Sequence, residues 1–355
     1  MTRHRILILG ASYGSLLAAK LLLAGHDATL VCLPEEVALI NQEGFRVRMP
    51  VKGRAGPVEV DSRRLRGRID AAGPGEVNPA DYDLVVLAMQ EPQYRGVRDL
   101  MKAIAASGKP CMSIMNMPPL PYVARLHGVD VAACRSCYVD PTVWDPFDPK
   151  QMTLCSPDPQ AFRPPTEKVN VLQVRLPTNF KAARFESDAH TAILRTLEHD
   201  IDAARFETPE GPVELPVKLR VHESVFVPLA KWSMLLAGNY RCVQPDAMRS
   251  IKEAVHTDID ATRAVYEWVA TLCRRLGARD ADLVPFEKYA NAARSLESPS
   301  SAARALANGA PNIERVDLLV QTLAAQQGMQ SDAVDATVKL VDHWLAKNRK
   351  LAAAA

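Results

Sequence analysis

The stretch Arg5-Ile-Leu-Ile-Leu-Gly-Ala-Ser-Tyr-Gly-Ser-Leu-Leu-Ala-Ala-Lys-Leu-Leu-Leu-Ala-Gly-His-Asp-Ala-Thr-Leu-Val31 constrains the fold more than any other part of the chain. Ile6 to Leu9 are continuously apolar, as in a strand buried on both faces. Gly10 and Gly14 bracket a tight turn, and Leu16, Leu17, Leu21 and Leu22 recur at helical spacing. Gly25 stops that helix, and Ala28 to Val31 read as a second buried strand. Strand, glycine turn, helix, strand is a βαβ unit whose turn can present backbone N–H groups at a helix N-terminus to a pyrophosphate. It predicts a nicotinamide-dinucleotide site on Gly10, Ala11, Ser12, Tyr13 and Gly14. The loop, Gly10-x-x-x-Gly14, is one residue shorter than the usual glycine fingerprint. Short-chain dehydrogenases open similarly but need Tyr-x-x-x-Lys, and none of the eight tyrosines is followed four residues later by lysine.

A chain of 355 residues accommodates two domains, each with its own core. Its 43 basic and 41 acidic residues leave a formal charge of +2, which offers no overall footprint for nucleic acid or a membrane surface. No apolar run reaches transmembrane length, and Thr2-Arg-His-Arg leads into a strand without a signal-peptide core. Seven scattered cysteines suggest reduced thiols, and the expected location is the cytoplasm. Cys134 and Cys137 form a single CxxC, read as two packed thiols rather than a metal site.

Beyond the second strand, an acid would accept the ribose hydroxyls of NAD, and an arginine would meet the extra phosphate of NADP. Cys32 and Leu33 are neither. Glu35 is a candidate for the first role and Arg46, Arg48, Lys52 or Arg54 for the second, so NADP and NAD both stay open. Residues 56–80 read as a surface excursion with short strands, and Arg63, Arg64, Arg66 and Arg68 as a solvated face. Asp83 to Ala88 and Cys111 to Met115 are further buried strands. Gln90 and Asn116 follow their carboxyl ends, which line the ligand crevice in open α/β sheets. Strands are expected near Val129 to Ala133, Lys168 to Val174 and Ala203 to Phe206, with a helix around His190 to Leu197.

The prolines and glycine of Glu207 to Pro216 mark a boundary between a dinucleotide-binding domain, residues 1–210, and a helical domain, residues 217–355. Helices are predicted over about 222–240, 247–276, 286–295, 301–307, 313–327 and 332–348. The fold class is therefore α/β, an N-terminal Rossmann-type doubly wound sheet plus an all-α C-terminal domain. The active site is expected in the cleft between them. His190, His199, His222 and His256 lack metal-ligand spacing and read as structural, and no metal is expected.

At this point the chain resembles the ketopantoate reductase family, within the 6-phosphogluconate-dehydrogenase-like enzymes. The likeness rests on the opening βαβ unit, on Asp83-Leu-Val-Val-Leu-Ala-Met-Gln-Glu-Pro-Gln93, and on Asn116 after the fourth strand. In the helical half, Lys231-Trp-Ser-Met-Leu-Leu-Ala-Gly-Asn239 resembles the family's Lys-x-x-x-Asn-x-x-x-Asn helix. Ser298-Pro-Ser-Ser-Ala302 resembles its serine pair, and Ile313-Glu-Arg-Val-Asp317 its Thr-Glu-Ile-Asp segment. The resemblance implies an NAD(P)H-dependent 2-oxo acid reductase, NADP being the family's cofactor, and a homodimer. It implies Lys231 as acid/base catalyst and Glu314 as a catalytic and substrate-contacting acid, with Asn239 and Ser301 binding substrate. Leu235 replaces the helix's first asparagine, Tyr240 its usual proline, and Gln90 a lysine, so the resemblance implies the reaction type more than it implies pantoate as the substrate.

The chemistry fits these residues. A ketone reduced by a nicotinamide needs a proton donor at the carbonyl oxygen, and a lysine among apolar neighbours such as Phe226, Leu229 and Leu236 loses basicity by desolvation. As an α-helix, the segment sets Asn239 about 80° around the axis from Lys231. Ser301, at a helix start, suits a substrate carboxylate as well as capping. Glu314 reads alternatively as a surface acid paired with Arg315 or Arg304. The segments 137–148 and 207–217 are candidate lids. Two rivals remain: an opine-type dehydrogenase joining an amino acid to a 2-oxo acid, and a non-catalytic NAD(P)-binding sensor.

Overall fold

The computed structural model describes residues 2–354, which form two compact units. Among these, the first comprises residues 2–89, 96–115 and 143–223, and the second 90–95, 116–142 and 224–354. The first unit is built on an eight-stranded sheet: β1 (Arg5–Leu9), β2 (Asp27–Val31), β3 (Ile69–Ala72), β4 (Leu84–Leu87), β5 (Cys111–Ile114), β6 (Met152–Ser156), β7 (Phe180–Ala183) and β8 (Leu219–His222). Their spatial order is β8-β7-β6-β5-β4-β1-β2-β3. Every neighbouring pair is parallel except β6 with β7. Ile6 to Leu9 and Leu84 to Leu87 are wholly buried, which is why both read as unbroken apolar runs. The chain leaves β1 toward β2 and β3, then crosses back to β4. The gap between β1 and β4 is thus a topological switch point.

The helix α1 (Tyr13–Leu23) is buried almost all round, including Lys20 at 2% exposure. The Lys20 ammonium donates to the Leu215 and Pro216 carbonyls, each at 3.0 Å. Those carbonyls precede Val217, a buried β-branched residue at φ 64°, where an L side chain is strained by roughly 1–3 kcal/mol. Burial pulls Lys20 down to about 7. A smaller sheet carries Arg46–Pro50, Pro57–Asp61, Gln160–Phe162 and Val171–Leu176.

Several expected elements fall differently. Val131–Cys134 is a helical turn rather than a strand, because Asp130 accepts from the Ala132 and Ala133 N–H groups and caps it. Ala203 ends a helix from Asp188, and Phe206–Thr208 pairs with Gly211–Val213 in a hairpin inside the expected linker. β8 lies beyond residue 217 yet pairs with β7, so the first unit runs on to residue 223. Residues 56–80 supply one strand to each sheet.

The second unit is mainly helical. The long helix expected over 247–276 is two, Ile251–His256 and Ile259–Arg275, because Asp258 caps the second through the Ala261 N–H. Further helices are Phe286–Ala293, Ser301–Ala307, Val316–Gln326 and Asp332–Ala354. Cys134 and Cys137 are free and buried. Among the described residues no helix is long and apolar enough to cross a membrane.

Candidate active site

The glycine turn lies in the first unit, at the carboxyl end of β1. Gly10 has φ 102°, and a Cβ there would stand 2.8 Å from the Ala88 carbonyl oxygen and 2.9 Å from Met89 Cγ. Only glycine fits so close to the end of β4. Ser12 precedes α1 without a side-chain cap, so its hydroxyl claims none of the first-turn N–H groups, the donors an anion site uses. Ala11 is buried beneath, and the Tyr13 hydroxyl donates to the Pro159 carbonyl at 2.8 Å. This cradle fits a dinucleotide pyrophosphate. Arg48 is paired with Glu59 and Glu167, and Arg54 with Glu210, so these two suggested phosphate ligands are engaged elsewhere.

In the second unit, Gln90, Asn116, Asn239, Ser301 and Glu314 line one cavity, about 410 Å³ counted with its open mouth. Leu235 and Ile313 supply apolar wall. Five residues picked from separate stretches of the sequence thus share one surface. Lys231 is half-buried and is not part of that wall, although its ammonium acts on Glu314.

The reason lies in the local helix. Lys231–Met234 is a single α-turn, and Leu235–Asn239 is a wider π-turn. The 80° phase expected between Lys231 and Asn239 therefore does not apply. Gly238 has no side chain where Tyr289 approaches: a Cβ there would lie 1.8 Å from the Tyr289 oxygen. That hydroxyl donates to the Met234 carbonyl at 3.1 Å. An inserted side-chain donor is a recognised cause of such a local widening.

Glu314 is 9% exposed and is held on several sides. Its Oε1 accepts from the Glu91 backbone N–H at 3.4 Å and its Oε2 from Asn116 Nδ2 at 3.3 Å. Burial pushes the Glu314 carboxyl up to about 7, opposed by these hydrogen bonds and by the Lys231 charge. Neither Arg315 nor Arg304 pairs with it. Arg315 binds Asp317 at 3.0 Å and Asp342 at 2.6 Å, while Arg304 donates to the Pro299 carbonyl at 2.5 Å. The Tyr240 hydroxyl donates to the Glu314 carbonyl at 2.5 Å and accepts from the Val316 N–H at 3.1 Å, fixing the backbone on both sides. Residues 313–315 accordingly have no regular secondary structure, and the expected helix starts only at Val316.

Three further features escaped the sequence. Glu91, 3% exposed, is a second buried acid whose carboxyl accepts from the Val139 N–H at 3.2 Å. Burial, then repulsion from Glu314, raises it to about 7 as well. Its neighbours Gln90 and Pro92 gave no sign of burial. Second, Ser300 rather than Ser301 caps the helix, accepting from the Ala303 N–H at 3.2 Å and donating to the Asn239 carbonyl at 2.7 Å. Ser301, relieved of capping, stands on the cavity wall. Third, Asn116 Oδ1 is buried and has no hydrogen-bond partner, on a residue that lines the cavity.

A mostly parallel sheet with a glycine turn at its switch point and a mainly helical unit carrying a cavity also make up the fold of several solved structures. Neither protein-family models nor curated proteins match the sequence. Among solved structures, the chain shares its fold with 2-dehydropantoate 2-reductase from Methylococcus capsulatus, at 12% identity and TM-score 0.67, over 97% of each chain. A ketopantoate reductase from Ralstonia eutropha matches at 16% identity and TM-score 0.61, over 97% of this chain and 99% of that one. D-mandelate dehydrogenase in a ternary structure with NADH and anilino(oxo)acetate matches at 13% identity and TM-score 0.64, again over 97% and 99%. The chain has the fold these proteins share.

Proposed function

We propose that this protein is a nicotinamide-dependent oxidoreductase of the ketopantoate reductase type, interconverting a 2-oxo acid and a 2-hydroxy acid. The observation that carries the reading is the buried Glu314 carboxyl, bordering a cavity and under the influence of the Lys231 ammonium. Two further points support it. The glycine cradle fits a dinucleotide pyrophosphate, and a D-mandelate dehydrogenase of the same fold holds NADH with anilino(oxo)acetate.

A bound nicotinamide nucleotide supplies the hydride in such a reaction. The chain's own groups handle the proton and the substrate. Lys231 gives a proton to the carbonyl oxygen as it becomes a hydroxyl and takes it back in the reverse direction. Glu314 holds the new hydroxyl and steadies the charge on Lys231. Asn116 donates to Glu314 with its amide nitrogen and offers its unpartnered oxygen to the ligand, while Asn239 and Ser301 orient the acid. Leu235 and Ile313 favour an apolar side chain on that acid over a hydroxylated one.

Lys231→Ala tests the reading. Turnover should fall by about 10²–10⁴-fold, the usual worth of a positioned acid/base, with nucleotide affinity almost unchanged. Unchanged turnover would remove Lys231 from the mechanism. One observation favours a second reading: the ten wall residues include a carboxyl and no cation, a setting that suits an amine. If nucleotide oxidation depends on an added amino acid, the protein is an opine-type dehydrogenase. Nucleotide binding with no oxidation across a panel of 2-oxo acids would make it a sensor. The homodimer belongs to the same proposal, with light scattering as its measure.

A further inference from the structure

Several arginines of the second unit are matched by acids: Arg263 by Glu287, Arg274 by Asp280, Arg279 by Asp282 and Arg315 by Asp317. Among the described residues, Arg241, Arg249 and Arg304 form no ion pair. Each gives a donor to a neutral acceptor instead. Arg241 Nη1 donates to Thr262 Oγ1 at 2.6 Å, Arg249 Nε to the Arg241 carbonyl at 2.9 Å, and Arg304 Nη1 to the Pro299 carbonyl at 2.5 Å. A guanidinium has five N–H donors, so each keeps several for something else.

The three anchors gather around Cys242. The chain turns back on itself after it, with Val243 and Met248 paired as an isolated bridge. The Arg249 N–H then donates to the Cys242 carbonyl at 3.0 Å, which sets Arg249 beside Arg241. Ser300, next to Pro299, meets the Cys242 thiol through its backbone and its hydroxyl. Burial raises that thiol, and the Ser300 hydrogen bonds and then the Arg249 and Arg304 charges oppose it, so both charges reach this point. Burial, then repulsion from Arg249, holds the half-buried Arg241 below the usual arginine range, opposed by Asp258. The nearby acids are occupied as helix caps: Asp258 accepts from the Ala261 N–H at 2.9 Å, and Glu253 from the Ser250 N–H and hydroxyl, each at 2.8 Å. Like charges brought together without an acid cost free energy that a bound anion returns.

We propose that Arg241, Arg249 and Arg304 form a phosphate-binding site in the second unit, taking the free ion or the phosphate group of a small metabolite. None of the three lines the cavity described above, so this is a separate site. Three forks carried on different chain segments suit a tetrahedral dianion with several oxygens to share, whereas a single fork already satisfies a carboxylate. Nothing here depends on a nucleotide at the Gly10–Gly14 turn.

The test is isothermal titration of the intact protein with inorganic phosphate, glycerol 3-phosphate and, as the carboxylate control, malonate, in low-salt buffer. Phosphate or the phosphomonoester should bind with a dissociation constant of about 1 mM or tighter. Arg249→Gln and the exposed Arg304→Gln should each weaken that binding at least about tenfold, as expected for hydrogen bonds to a charged group, with melting temperature unchanged. Should the half-buried Arg241→Gln fail to fold, these two variants carry the test. No uptake of either phosphate compound, or tighter binding of malonate, overturns the assignment. Binding that persists unchanged in both variants puts the anion elsewhere, the glycine turn included, and also overturns it. Phosphate binding that the variants abolish, in a protein that takes up neither NADH nor NADPH, would support this site and remove the function proposed above.

Discussion

The two units bury ionisable groups in opposite ways. In the first, Lys20 is sealed inside a helix and spends its donors on two backbone carbonyls beside the strained Val217. In the second, Glu314 is buried on a cavity wall and Glu91 is buried next to it, and their partners come from residues 116, 139 and, in part, from the Glu91 backbone itself. Each of the three is shifted to about 7 by loss of hydration, the lysine downward and the acids upward. Burial alone therefore does not mark a functional group. A buried charge whose partners are all main-chain carbonyls serves the fold, and one on a cavity wall with an unsatisfied neighbour such as Asn116 Oδ1 is the candidate for chemistry in the function proposed above.

The contrast can be broken most directly at Glu314. Glu314→Gln should cut kcat by about 10–10²-fold while leaving nucleotide affinity near wild type. A turnover like that of wild type would place Glu314 with Lys20 as a structural group. The same variant changes the pH profile of stability. Because the native carboxyl keeps its proton up to about 7 and the unfolded one releases it near 4.5, wild type loses stability as pH rises through that window. Thermal melts of the variant should be flatter there.

Lys20→Met is the converse probe, with an effect on stability and none on kcat. The unfolded amine stays protonated to about 10.5 while the native one is neutral above about 7, so wild type gains stability as pH rises between these values. The gain, a few kcal/mol at roughly 1.4 kcal/mol per pH unit, should vanish in the variant. A retained rise would assign it to another group.

The smallest effect is expected from Glu91→Gln, which keeps the backbone N–H to Glu314 and removes only the charge. Repulsion between the acids is mutual, so the Glu314 titration should move to lower pH by less than about one unit, read from the pH dependence of kcat. A shift to higher pH would mean that Glu91 supports Glu314 by hydrogen bonding rather than opposing it by charge.

Much of this was already legible along the chain. The apolar runs of β1, β2 and β4 and the glycine spacing at residues 10 and 14 are local patterns, and local patterns survive in a sequence, whereas Asn239, Ser301 and Glu314 were singled out through the family resemblance. The bounds of Ser301–Ala307 were legible to the residue, although the serine that caps it is Ser300 and not Ser301. Other features were hidden. Nothing adjacent to Glu91 signals burial, and the π-turn at Leu235–Asn239 depends on Tyr289, fifty residues on.

By itself the sequence determined the α/β sheet, the glycine turn and the identity of the polar groups, since strand and helix formation follow from periodicity and backbone preference close at hand. Only the tertiary structure decided which of those groups are desolvated and which face a cavity. It also decided which serine caps, and it brought Arg304 to the Cys242 turn that carries Arg241 and Arg249. Solvation and charge pairing depend on atoms that meet in space after long excursions of the chain, and no residue's neighbours in sequence record them.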